Sequence, residues 1–428
     1  MVIGSNPISP GVSWYEDTLE ERPSYPFFSK QLQCDVVIIG GGLTGLSAAY
    51  HLAKAGVHVI LCEASRFGDG ASGRNGGQLG TGQRQWVETL EKKYGFERSK
   101  ALFDLAEEAK RDILSWCAMP DFQCDFMAGQ LSVFHKKRAL ASYQRHVETM
   151  QRYGYHGLTF MDRAETARRL GSSFYHGGIY DAHTGHINPL KLVVGLAKKA
   201  KNAGSKLYEK TQVTAVKRNG SNWSVTTKKG NIRAEHVFLA TNAYKLGLQG
   251  FVEKKIFSIR SYIGATEPLS KECSILQDGE SVDDSRFMVR YFRKSIDNRL
   301  LFGGVESYDN QYPTNLEERI RRQIIEIYPH LRSVNLTHHW GATVAITVER
   351  MPYVRQLFTG VTYCGGYSGH GVMLAPFLGK LYAEWLTGKR ERFTFFQDLK
   401  ISSFPGGKVL RYPLIFLAMH WFSLMDHF

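Results

Sequence analysis

No two of the six cysteines stand in a C-x-x-C spacing, and the C-x₆-C of Cys117 and Cys124 matches no zinc pattern. A zinc ribbon and a thioredoxin-like redox site are thereby excluded. Cys34 and Cys62 fall at opposite ends of what read as neighbouring parallel strands, so no bridge is expected between them. The pattern is that of a reduced, cytoplasmic protein. No run reaches the roughly 18 apolar residues that a membrane span needs. The start, MVIGSNPISPGVSWYEDTLEERP, has neither a basic opening nor an apolar centre, so no signal peptide is expected. Internal repeats and low-complexity tracts are absent. Long blocks of one charge are missing as well. The net charge is +14, but the basic pairs (Lys136-Lys137, Lys198-Lys199, Lys228-Lys229, Arg321-Arg322) are scattered. That describes a solvated surface, with no nucleic-acid arm expected.

What is present begins with an ordinary globular composition, 43% apolar and 22% charged, in 428 residues. That length suits two domains, which can be interleaved. The stretch Cys34 to Glu63, CDVVIIGGGLTGLSAAYHLAKAGVHVILCE, organises the rest. Val36 to Ile39 form a β-branched run that stops at glycines. Gly40, Gly42 and Gly45 fit G-x-G-x-x-G. A helical spacing follows through Leu46, Ala49 and Ala53, and Gly56 closes it. A second apolar run, Val57 to Cys62, ends at Glu63, eighteen residues after Gly45. The three glycines serve different ends. Gly40 permits a tight turn, Gly42 the close approach of backbone to a pyrophosphate, and Gly45 the close packing of helix on strand. The helix N-terminus offers amides and a positive dipole end to phosphates, and Glu63 can accept from the hydroxyls of an adenosine ribose. An adenine dinucleotide site is expected, and the acid disfavours a 2′-phosphate.

Arg66 to Arg84 then carries seven glycines, Gly68, Gly70, Gly73, Gly76, Gly77, Gly80 and Gly82. With Arg74, Asn75 and Gln78 interrupting it, the run reads as backbone passing close to a flat ligand. Helical spacing covers Trp86 to Tyr94, Ser99 to Cys117 and Lys137 to Tyr153, with a short strand pair expected around Gly129 to Phe134. Strands are expected at 206–208, 213–216, 223–227 and 236–240, the last ending in Thr241-Asn242-Ala243. Residues 248–339 read as a mixed or antiparallel sheet walling a substrate pocket, with a helix at Asn315 to Ile327. Near the end, TYCGGYSGHGVMLAPFLGKLYAEWLTG feeds a second glycine bend into a second helix, whose Leu374, Leu378, Leu381, Tyr382 and Trp385 share a face. Pro376 is expected in its first turns. A pattern suited to a negative group thus occurs twice, more than 300 positions apart.

These places together resemble the FAD-dependent amino-acid and amine oxidase family that includes D-amino-acid, glycine and sarcosine oxidases, over roughly residues 12–425. GASGRNGGQ (70–78), RSYIGATEPL (260–269), RLLFGG (299–304), GYSGHG (366–371) and the tail RYPLIFLAMHWFSLMDHF look most like the γ-glutamylputrescine oxidase branch. The resemblance implies an α/β fold: a doubly wound, Rossmann-like FAD-binding domain (34–85, 171–247 and 340–390) with an interleaved α+β substrate domain (86–170 and 248–339) on a mixed or antiparallel sheet. An N-terminal arm (1–33), extended and anchored by aromatics, and a C-terminal tail helix (391–428) complete the expectation. By position, Gly40, Gly42, Thr44 and Gly45 would hold the pyrophosphate and Glu63 the ribose, with Leu43 and Ala64 also at the cofactor. Ser72, Gly73, Arg74, Asn75, Gly76, Gly77 and Gln78 would run beside the flavin. Val213 would meet adenine, Thr241 would stand near the cofactor, and Gly369, His370, Gly371, Val372 and Met373 would cap the pyrimidine edge. Glu349 stands where relatives often have Asp. The FAD is expected to be non-covalent, although Cys364 and His370 are near. The family pattern puts His176, His183 and His186 at a strand-to-helix entry, so no metal is expected.

The chemistry so implied is oxidation of an amine: hydride leaves the substrate C–H for the flavin, the imine hydrolyses, and O₂ or another acceptor takes the electrons. His370 and Arg293 are the candidate catalytic residues, and Arg74, Tyr262 and Tyr291 the candidate substrate contacts. Arg293 would suit a carboxylate. Three rivals stand beside this reading. They are an NAD-linked dehydrogenase, an oxidase of α-amino acids or the flavin part of a tRNA-modifying system, and a basic protein binding RNA or a membrane. The tail Tyr412 to Met425 is either a packing helix or a weak membrane-surface contact.

Overall fold

The computed structural model describes residues 12–244, 252–307 and 312–404. Two eight-stranded sheets carry the fold. At the centre of the first is Gln31–Ile39, whose β-branched end is buried on both faces as a parallel strand requires. It pairs in parallel with Val59–Cys62 on one side and Asn231–Leu239 on the other. Lys206–Tyr208 extends the sheet beyond Val59–Cys62, and Val361–Gly365 beyond Asn231–Leu239, both parallel. Tyr353–Phe358 closes that edge antiparallel. A hairpin, Val213–Asn219 and Asn222–Thr227, joins the early half of Asn231–Leu239.

Two helices cross closely on this sheet, Leu43–Lys54 and Gly371–Leu386. Gly379 permits the crossing, because a Cβ there would lie 2.3 Å from the Thr44 carbonyl oxygen. Pro376 stands inside the second helix, in its second turn and so within the first turns expected, and its carbonyl accepts from the Ser47 hydroxyl at 2.6 Å. One apolar core joins sheet and helices and takes in Leu102, Ala106, Ala109 and Ile113 of the Phe96–Cys117 helix.

The second sheet runs in the order Leu336–Ile346, Phe257–Thr266, Leu300–Ser307, Tyr291–Lys294, Ser281–Asp284, Met127–Val133, Gly178–His186, Leu158–Met161. Leu316–Ile327 covers it through Ile320 and Ile324. Several expectations change here. The strand near residue 130 is no local pair: its partners are Gly178–His186, antiparallel, and Ser281–Asp284, parallel. Gly178–His186, in the stretch expected to belong to the FAD-binding domain, and Leu336–Ile346, which spans the boundary expected at 340, both belong to the second sheet. Local periodicity identifies a strand but not its sheet.

The N-terminal arm is partly helical rather than extended, with one turn at Trp14–Asp17, and its last residues begin the central strand. Trp14, Tyr15 and Phe28 do anchor it, buried in the body. Glu391–Gln397 is a short helix, and residues 405–428, with the tail expected to pack or to touch a membrane, lie outside the described residues. No helix among the described residues is long and apolar enough to cross a membrane.

Candidate active site: two glycine bends in contact

The first bend leaves the central strand at Gly40, whose φ of +109° lies in the left-handed range that glycine alone enters freely. A Cβ there would sit 2.6 Å from the Ala240 carbonyl oxygen, at the end of the neighbouring strand. Gly45 is tighter still, with 1.9 Å to the Gly40 oxygen, so the helix starts pressed against the strand. Glu63 closes the unit. Its carboxylate accepts from the Gly41 amide at 2.7 Å and the Ser65 amide at 2.8 Å. Burial raises its pKa, opposed by those amides. Each oxygen keeps a second lone pair for a ribose hydroxyl.

The second bend, Tyr367 to His370, is pinned to the second sheet: the Ser368 amide donates to Ala345 and its hydroxyl accepts from the Thr347 amide. The two bends meet. Thr44 Oγ1 and the Tyr367 hydroxyl are 2.6 Å apart, 323 positions distant in sequence. Asn242, at φ +46°, fastens the strand end between them, accepting from the Gly366 amide and, at its carbonyl, from the Tyr363 hydroxyl. Thr241 lies beside Gly40.

The glycine-rich run is irregular backbone gripped by side chains, with a single turn at Ala71–Gly73. Asn75 donates to the Ala71 and Ser72 carbonyls and accepts from the Gly77 amide. Trp340 donates to the Arg74 carbonyl, Gln78 to Val282, and Ser72 accepts from the Leu43 amide. His370 donates from Nε2 to the Gly82 carbonyl at 3.0 Å, which ties the run to the second bend. Desolvation and the charges of Arg84 and Lys110 pull the His370 pKa down to about 4, so the ring is neutral at neutral pH.

The run, the second bend and the second sheet enclose a cavity of about 470 Å³. Arg74, Asn75, Gly76, Gly77, Gln78, Tyr291, Gly369, His370 and Val372 all line it. Arg74 is buried, its Nε donating to the Gly341 carbonyl. Tyr291 meets the Ser261 hydroxyl at 3.1 Å.

Of the five expected catalytic and substrate-contact residues, two do not line the cavity. Arg293 lies behind the run. It donates to the Gly76 carbonyl at 2.7 Å, the Ile187 carbonyl at 3.0 Å and the Tyr15 hydroxyl at 3.1 Å. A guanidinium so engaged holds the loop rather than a substrate carboxylate. Tyr262 is buried in the second core with its hydroxyl on Ser307. It cannot contact a ligand in the cavity. Val213 and Met373 are buried in the first core. Glu349 faces away, accepting from the Ser402 amide and hydroxyl. His186 donates to the Gly279 carbonyl, and no group of His, Cys, Asp and Glu suited to a metal occurs among the described residues. Sequence reasoning missed Arg84, Asp181, Asp283 and Glu306 on the cavity wall. Their only signal is charge inside otherwise strand-like or glycine-rich stretches.

The residues present fit a long nucleotide cofactor. Two helix N-termini approach one site, neither capped by its own N-cap side chain, whereas Asn188 caps the Pro189–Asn202 helix. Bare backbone faces the cavity at Gly369, where an added Cβ would meet nothing within 4 Å. A profile described as FAD dependent oxidoreductase matches residues 35–385. The chain belongs to this family. It is an FAD-dependent oxidoreductase acting on C–N bonds of amines or amino acids. It is 52% identical to a probable oxidoreductase OrdL of Rhizobium meliloti (strain 1021), over 99% of both chains. It is 34% identical to gamma-glutamylputrescine oxidoreductase of Escherichia coli (strain K12), over 97% of this chain and 98% of that one. Among solved structures, glycine oxidase from Geobacillus kaustophilus aligns with a TM-score of 0.72 at 21% identity, over 84% of this chain and 96% of that one. The last likeness speaks for the fold.

Proposed function

We propose that this oxidoreductase oxidises the terminal C–N bond of an amine bearing an amino-acid end, of the γ-glutamylputrescine kind, and passes the electrons to O₂ to give H₂O₂. The observation that carries the reading is the charge of the cavity wall, which holds three guanidinium side chains (Arg74, Arg84, Arg350) and three carboxylates (Asp181, Asp283, Glu306). Such a wall suits a substrate with both signs of charge better than a bare diamine or a simple acid. The name of the 34% identical relative points to the same substrate. Bound FAD supplies the hydride acceptor. The protein's part is to hold the amine in place and keep water scarce. Neutral His370 adds no cation to the cavity wall, and its bond to Gly82 keeps the glycine-rich run in register with the second bend.

A second reading, oxidation of an α-amino acid, has buried Arg74 on the cavity in its favour. Mixing the enzyme anaerobically with γ-glutamylputrescine, putrescine, glycine, sarcosine and D-alanine separates the two. Flavin bleaching fastest with γ-glutamylputrescine, and peroxide on admitting air, are the expected results. Bleaching by the α-amino acids alone would overturn the proposal in favour of the second reading.

A further inference from the structure

Arg84 ends the glycine-rich run, and its guanidinium lines the cavity. Among the described residues no hydrogen bond or ion pair engages it. A half-buried guanidinium carries five donors and is stabilised by a planar anion.

Asp283 lies on the same wall. Its Oδ1 accepts from Gln130 Nε2 at 2.6 Å and from the Ser132 hydroxyl at 2.9 Å. Burial raises the Asp283 pKa, and those two donors and the charge of Arg84 oppose that shift while orienting the carboxylate. Its second oxygen, Oδ2, receives no donor among the described residues. Gln130 Oε1 is buried and unpartnered as well. Two open acceptors on hydrogen-bonded neighbours, one of them a carboxylate, ask for a group that only donates, and an ammonium is such a group. Arg84 acts on Asp283 through space, no ion pair closes between them among the described residues, and both line the one cavity.

We propose that Arg84, Asp283 and Gln130 form a head-group subsite for the zwitterionic α-amino-acid end of the substrate, with its carboxylate on Arg84 and its ammonium between Asp283 Oδ2 and Gln130 Oε1. This rests on the functional reading above and assigns the substrate's non-reacting end. Binding energy from that end would orient the far C–N bond.

The test is calorimetry on the FAD-loaded enzyme with γ-glutamyl-n-butylamide, which lacks the terminal amine, and with its analogues lacking the α-carboxylate or the α-amino group. In the wild type, loss of either group is expected to weaken binding about 10- to 100-fold, as for a charged hydrogen-bonding partner. Arg84→Met should bind the full ligand and the carboxylate-free analogue alike, and Asp283→Asn the full ligand and the amine-free analogue alike. Arg84→Lys should recover part of the carboxylate preference, keeping charge but not the fork. Should Arg84→Met fail to fold, judged by flavin content, the wild-type ligand series and Arg84→Lys decide. Affinities within threefold for all three ligands in the wild type, or undiminished discrimination in either variant, would overturn the subsite. The expected pattern in an enzyme that fails to oxidise γ-glutamylputrescine would support the subsite and overturn the proposed substrate.

Discussion

The contact between the two glycine bends can be tested by deleting it. Thr44 and Tyr367 are both buried, and their hydroxyls are 2.6 Å apart. Tyr367→Phe removes one partner and leaves Thr44 Oγ1, 4% exposed, with poor access to water. A buried hydroxyl left unpaired costs about 1–3 kcal/mol. The Cys364 thiol, 3.3 Å from the same phenol, loses a weaker partner. Tyr367→Phe is therefore expected to destabilise by about 2 kcal/mol, and Thr44→Val by a similar amount. The double variant should cost less than the two together, because replacing both partners removes the unpaired group, and a coupling of about 1 kcal/mol is expected. Urea unfolding of the four apoproteins measures this without the stabilisation that bound cofactor adds. Since the hydrogen bond fixes the register of both bends, FAD retention should weaken about fivefold per kcal/mol of coupling. Additive costs within about 0.3 kcal/mol, with unchanged FAD affinity, would refute the idea that this bond joins the two halves of the site.

Other predictions separate structural from functional roles. Arg293→Met strips donors from the Gly76 and Ile187 carbonyls, so a loss of about 3 kcal/mol and a lower Tm are expected, with little change in KM of the folded fraction. A raised KM at unchanged Tm would restore Arg293 as a substrate ligand. Burial, then the charge of Arg293, holds the His186 pKa down near 3. The fold therefore refuses a proton that the unfolded chain accepts below about pH 6.5. Stability attributable to this group falls as pH drops from 6.5 toward 3, by about 1.4 kcal/mol per pH unit, and is unaffected above 6.5. His186→Gln, which can keep a donor for Gly279, should flatten the acid limb of stability against pH by that amount. An identical slope in the variant would contradict the assignment.

Much of the cofactor half was legible in the residues because its signals are local. A β-branched run, a turn only glycine can make, an amphipathic helix and an acid at the next strand end follow one another within thirty positions, Cys34 to Glu63. Their geometry is set by sterics and periodicity alone. The second bend was legible for the same reason, and the family resemblance is confirmed over residues 35–385. The substrate half was less so. Alternation along a strand says that neighbours face opposite ways, not which way is inward. Ser261 reaches Tyr291 on the cavity while Tyr262, one residue on, enters the opposite core. Arg293 and Arg84 invite the same reading as chain, yet the first is spent on loop carbonyls and the second lines the cavity. The amino-acid order by itself determined that a dinucleotide fold would form and where its two bends would lie. Only the packing of distant segments decided which charged groups keep their hydrogen-bonding capacity for a ligand, because that depends on which carbonyls and carboxylates the folded chain brings within reach.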